Sequence, residues 1–140
     1  MLGQTVPAAT FNQGTSAMPN FNFVLLYVEN PPASAAFYSD LLGRPAVETS
    51  PSFAMLPLSG GAMLGLWSRK TVKPAAVAQA GGSEVAFTVE DAATVRTTFA
   101  EWKKRGLDII QEPAQMDFGF TFVAADPDGH RLRVFAPGAA

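Results

Sequence analysis

Residues 21–43 read FNFVLLYVENPPASAAFYSDLLG. The opening FNFVLLYVE is apolar, β-branched and aromatic, the composition of a half-buried strand. Asn30 and Pro31 then supply a helix start. The asparagine side chain accepts from the free N–H groups of a first turn, and the proline ring lacks an N–H where none is needed. Phe37 and Leu41 lie four apart on one helical face, and Gly43 falls where a C-cap glycine is expected. Strand, cap, helix and stop thus follow one another in a single short segment.

Short strands are expected after it at about 45–49, 52–58 and 62–68, the last two joined by a turn at Gly60-Gly61. The same order then recurs. SEVAFTV at 83–89 reads as a strand, Asp91 as a cap, and AATVRTTFAEWKKRG at 92–106 as a helix ending at Gly106. Val95, Phe99 and Trp102 mark its apolar face, and Lys103, Lys104 and Arg105 suit the negative end of its dipole. Further strands are expected near 107–111, 118–125 and 130–136, with Asp128-Gly129 as the last turn. The pattern is a repeat, and a repeat constrains the fold before any single residue does. It predicts an α+β protein of two βαβββ modules, residues 20–69 and 83–140, joined by a small, turn-rich linker at 70–82. Residues 1–19 are polar and rich in small side chains, which predicts a flexible or loosely docked arm, with Met18 as an alternative start; the rival reading is an arm that crosses onto a partner subunit with Phe11 as its anchor.

Composition removes whole classes of function. Of 140 residues, 48% are hydrophobic and 16% charged, enough apolar material for a substantial core. A net charge of −2 offers no basic surplus for nucleic acid. With no cysteine there are no disulfides, thiolate nucleophiles or cysteine metal sites. No apolar run is long enough to cross a bilayer and the N-terminus lacks the pattern of a secretion signal, so a cytoplasmic protein is expected. Nucleophile-elbow, phosphate-loop and dinucleotide motifs are missing. Gly60-Gly61, Gly81-Gly82 and Asp126-Pro127-Asp128-Gly129 read as turns, the last without the later ligands of a calcium loop.

Two stretches, VLLYVENPPASAAFYSDLLG at 24–43 and AADPDGHRLRVFAP at 124–137, resemble the first strand–helix unit and the closing hairpin of the vicinal oxygen chelate superfamily. That superfamily contains glyoxalase I, extradiol dioxygenases and bleomycin-resistance proteins. LPLSGGAMLGLWS at 56–68 and EPAQMDFGFTFVAADPDGHRLRV at 112–134 are similar to its phenazine-antibiotic-resistance binding proteins. The resemblance implies sheets curled around a cavity, and a homodimer, side by side or domain-swapped, with a ligand crevice at the interface.

Metal-using members draw ligands from the starts of the two first strands and the middles of the two last strands. Carried over, these positions fall on Phe23, Gly65, Glu84 and Arg133. Phenylalanine and glycine offer no donor, and arginine is permanently cationic. Glu84 alone falls short of the roughly three protein ligands of a catalytic divalent site, so no metal or other cofactor is expected. His130, the sole histidine, reads as a solvated turn residue.

The same positions suit a different site. Phe23 is expected beside Gly65, and Glu84 beside Arg133 as an ion pair that is structural, ligand-contacting or both. Strand alternation then places Leu25, Tyr27, Met63 and Trp67 with the first pair, and Arg131 and Phe135 with the second. Met55, Asp117 and Phe118 join Phe23, Tyr27, Gly65, Trp67, Glu84 and Arg133 as candidate ligand contacts; Phe53, Phe120, Phe122 and Ser68 are lesser ones. Such a wall suits a planar aromatic small molecule. The expectation is a binding protein without catalytic residues that sequesters an antibiotic. A metal-dependent or cofactor-free lyase or dioxygenase is the alternative, and a ligand-free regulatory or structural dimer stays open.

Overall fold

A computed structural model describes residues 19–139. Apart from Pro19, the expected N-terminal arm, with Phe11 and Met18, lies outside the described residues. The first module runs β1 (Phe23–Val28), α1 (Pro31–Leu42), β2 (Glu48–Thr49), β3 (Phe53–Pro57) and β4 (Met63–Ser68). The second runs β5 (Glu84–Thr88), α2 (Ala92–Lys104), β6 (Asp108–Met116), β7 (Gly119–Ala125) and β8 (Arg131–Pro137). Each module forms a four-stranded mixed sheet, ordered β1-β4-β3-β2 and β5-β8-β7-β6. The first and last strands of each module pair in parallel, and the other pairs are antiparallel. The architecture is the expected α+β one, with open sheets rather than closed barrels.

Local chemistry sets the helix ends. Asn30 is extended and its Oδ1 accepts from the Ala33 N–H at 3.0 Å, while Gly43 closes α1 at a φ of +68° that a residue with a Cβ resists. Asp91 caps α2 by accepting from the Thr94 N–H at 2.8 Å and its hydroxyl at 2.6 Å. These two donors hold the Asp91 carboxyl below its ordinary pKa, the side-chain bond contributing most.

One hydrophobic core serves both modules. Leu26, Val28, Tyr38, Leu56, Leu64 and Leu66 belong to the same cluster as Val95, Trp102, Phe122, Leu132 and Val134. Of these, Leu26, Val28, Leu64, Leu66, Leu132 and Val134 are the sheet positions that alternation assigns to the helix side. The helices themselves touch: Arg105, held by Glu101 at 3.0 Å, reaches the Asp40 carboxylate at 3.2 Å and its backbone carbonyl at 3.1 Å. The modules therefore meet through their helix sides, and each sheet turns its other face away from the shared core.

Four expectations need correction. The strand predicted over 107–111 continues to Met116, through Pro113. β6 is the edge of its sheet, where a missing N–H is tolerated, and register shifts between Ile109 and Gln111 and between Gln111 and Ala114 absorb the ring. Phe120 and Phe122 are core residues: the Arg96 guanidinium lies 4.5 Å over the Phe120 ring, and Phe122 packs edge-on against Phe99 and Trp102. Ser68 is buried and opposes the core residue Val28, on the face away from Trp67. His130 is not solvated: it is 2% exposed, with Nε2 3.2 Å from the Tyr27 carbonyl oxygen. Its hairpin is folded down onto the first module.

Candidate functional site

The candidate residues form two patches, one on the outer face of each sheet. On the first, Phe23, Leu25 and Tyr27 of β1 share a face with Met63, Gly65 and Trp67 of β4, in the pairs Phe23–Met63, Leu25–Gly65 and Tyr27–Trp67. Phe23 is thus one same-face step away from Gly65, not opposite it. Its ring still leans in: a Cβ at Gly65 would lie 3.1 Å from Phe23 Cε1 and 3.3 Å from Phe53 Cε1, and would overlap the end of Leu25. A side chain at Gly65 would have to displace the ends of these three neighbours, which fill the space above it. Met55 and Phe53 of β3 oppose Gly65 and Trp67. Both are almost fully buried, so they form the floor of the patch. Trp67 stands edge-on to Phe53, with ring centroids 6.0 Å apart, and Tyr27 beside it is 39% exposed. Val24, assigned by alternation to the helix side, is also partly exposed at the start of this edge strand.

The second patch is charged. Arg133 Nε donates to Glu84 Oε2 at 2.7 Å and Nη2 reaches Oε1 at 3.5 Å, a two-pronged pair. In the sheet register Glu84 lies opposite Arg131 and Arg133 opposite Ala86, so the pair forms on the diagonal, within reach of two long side chains. A third prong, Nη1, donates to Thr121 Oγ1 at 3.3 Å, while the Phe118 ring lies 5.5 Å from the guanidinium carbon. Phe118 is 45% exposed, stands edge-on to Phe135 and follows the exposed Asp117 in the β6–β7 turn. Phe135 shares the face of Arg133 as alternation expects, whereas Thr121 is not singled out by the sequence. The signal for Thr121 is the β7–β8 register, which sets it opposite Phe135, one same-face step from Arg133.

These positions do not fit a divalent cation. Phe23 has no donor atom, the space at Gly65 is filled by neighbours, and Glu84 is already engaged by a guanidinium. Among the described residues no group of three or more His, Asp or Glu side chains is placed to hold a metal ion. What the two patches offer instead is an aromatic platform and a fixed, partly desolvated charge pair.

The family model described as Glyoxalase/Bleomycin resistance protein/Dioxygenase superfamily matches residues 20–134, and the chain belongs to that superfamily. Among its relatives, the Phenazine antibiotic resistance protein EhpR of Enterobacter agglomerans is 32% identical over 124 residues, 86% of this chain and 93% of that protein. A protein of Agrobacterium tumefaciens with a solution NMR structure is 55% identical, with a TM-score of 0.78 over 86% of this chain and 99% of that one. Lactoylglutathione lyase from the same organism is 19% identical with a TM-score of 0.69, covering 86% of this chain and 96% of that one, a likeness of fold alone. No helix among the described residues is long and apolar enough to cross a membrane.

Proposed function

We propose that this protein binds and sequesters a planar aromatic small molecule, an antibiotic of the resistance type, in the cytoplasm and without turnover. The observation that carries the proposal is the outer face of the first sheet, where Tyr27 and Trp67 lie side by side over a floor of Phe53 and Met55. A flat ring laid on that face gains area and stacking together. Burying ~200 Å² of ligand apolar surface contributes on the order of 5 kcal/mol, and stacking adds ~1 kcal/mol. Micromolar binding then needs no covalent or metal chemistry. The relationship to EhpR supports the resistance-type role.

Because the modules join by their helix sides, the aromatic face and the Arg133–Glu84 face of one chain point away from a common core. We propose that a homodimer brings them together, the first-module face of one copy opposing the second-module face of its partner. A polar edge of the ligand then meets Arg133 or Asp117 while its rings stack on Trp67.

Tryptophan fluorescence tests the binding step. The chain has two tryptophans, Trp67 on the patch and Trp102 in the core at 8% exposure. Titrating metal-free protein with a panel of planar aromatic antibiotics is expected to quench emission saturably, and Trp67→Phe is expected to abolish the response while Trp102→Phe keeps it. Thermal stability is expected to rise by ~2.7 kcal/mol at a hundredfold excess over the dissociation constant. No quenching across the panel would leave the proposal without a ligand. Stoichiometric nickel, zinc, iron or manganese in purified protein would favour the lyase or dioxygenase alternative.

A further inference from the structure

The hairpin Asp126–His130 joins β7 to β8 in the second module, yet its side chains are spent on the first. Asp128 Oδ1 accepts from the Glu29 N–H at 3.1 Å, and its Oδ2 accepts from the Ser34 hydroxyl at 3.4 Å. Asp126 Oδ2 accepts from the Tyr38 hydroxyl at 2.7 Å, and its Oδ1 accepts from the backbone N–H groups of Asp128 and His130 at 2.8 and 2.9 Å. Burial first, and then the Asp126 charge, raises the Tyr38 hydroxyl above its ordinary pKa, so it stays a donor. His130 faces the Tyr27 carbonyl, which only accepts, so Nε2 carries the proton. Its Nδ1 is buried without a partner.

A turn needs none of this. Asp126 alone closes the hairpin by holding two N–H groups, and a solvated residue at 130 would serve as well. Four partners instead lie in a short stretch of the other module, from Tyr27 at the end of β1 to Tyr38 in α1. Tyr27 and Glu29 flank the core residue Val28, and the Tyr27 side chain borders Trp67 on the aromatic face. The second module thus grips the backbone of the strand that presents that face.

We propose that the Asp126–His130 hairpin is an inter-module latch, and that His130 and Asp128 are positioning residues that fix Tyr27 and the aromatic face it borders. Its consequence for ligand affinity rests on the binding role proposed above; the latch itself does not, and is tested without ligand. Backbone amide exchange is measured on the intact chain by NMR. In Asp128→Ala the Glu29 amide loses its acceptor and is expected to exchange roughly five- to tenfold faster, the change one net hydrogen bond supports. Amides within the β7–β8 pairing, such as Phe122, which lies opposite Val134, are expected to hold. Asp128→Asn keeps an acceptor oxygen and is expected to restore protection at Glu29. In His130→Ala the Trp67 indole N–H resonance is expected to move and that of Trp102 to stay. Should Asp128→Ala fail to fold, Ser34→Ala removes one donor to the same carboxylate and is expected to give the regional pattern at smaller amplitude. Uniform acceleration across both sheets, unchanged exchange at Glu29, or equal movement of both indoles would overturn the latch.

Discussion

Arg133 is held on several sides: two prongs on Glu84, one on Thr121, and an aromatic ring beside the guanidinium. Its side chain is 17% exposed and that of Glu84 38%. Partial solvation decides the energetics. A fully buried pair broken on one side costs several kcal/mol, whereas here water can reach the orphaned carboxylate. Arg133→Met is therefore expected to lower stability by only about 1 kcal/mol in a denaturant titration. If the guanidinium also meets the ligand, losing a charge-assisted hydrogen bond is expected to weaken binding ten- to a hundredfold. The two measurements separate the roles: lost stability with unchanged affinity would make the pair purely structural. The chemistry of this pair was legible from two residue types at matching module positions. Its diagonal geometry was not, because the register of a parallel pair depends on how both strands are anchored at their ends, which no local pattern encodes.

At the scale of elements, the repeat was legible because each unit carries its own punctuation. Asn30 and Gly43 bracket one helix, Asp91 and Gly106 the other, and the bounds follow from caps that act within a few residues. β6 runs past the expected 107–111 through Pro113, which a strand carries only at an edge, and edge position is a property of the whole sheet. The burial of His130 has a similar origin: a turn residue is exposed by default, and only the docking of one module on the other buries it. The Asp91 cap gives a prediction at this scale. A lowered folded-state pKa means that the carboxylate stabilises α2 at neutral pH, and that this contribution is lost as the pH falls through the lowered value. Asp91→Asn keeps a capping oxygen but has no charge to lose. Its helix content, followed by circular dichroism, is expected to depend less on acid than that of the parent. An identical acid profile would mean that the cap charge contributes nothing to that dependence.

At the scale of the molecule, what matters is which faces the shared core consumes. It takes the helix sides of both sheets, leaving Phe23, Leu25, Tyr27 and Trp67 on one outer face and Arg133, Phe118 and Phe135 on the other. β1 and β5 are both edge strands of their sheets. Apolar faces and open edges are usually covered, and in the proposed dimer each covers the other's. The ligand then becomes a third component of the interface, because its two recognition patches come from different copies. A charge placed on the aromatic face should disturb assembly before it disturbs the fold, since Tyr27 contributes its backbone, not its ring, to the latch. Tyr27→Glu is accordingly expected to sediment as a monomer at concentrations where the parent is dimeric, with circular dichroism unchanged and ligand quenching of Trp67 lost in parallel. A variant that stays dimeric yet loses the ligand would place the crevice within one chain, and one that becomes monomeric yet still binds would separate assembly from recognition.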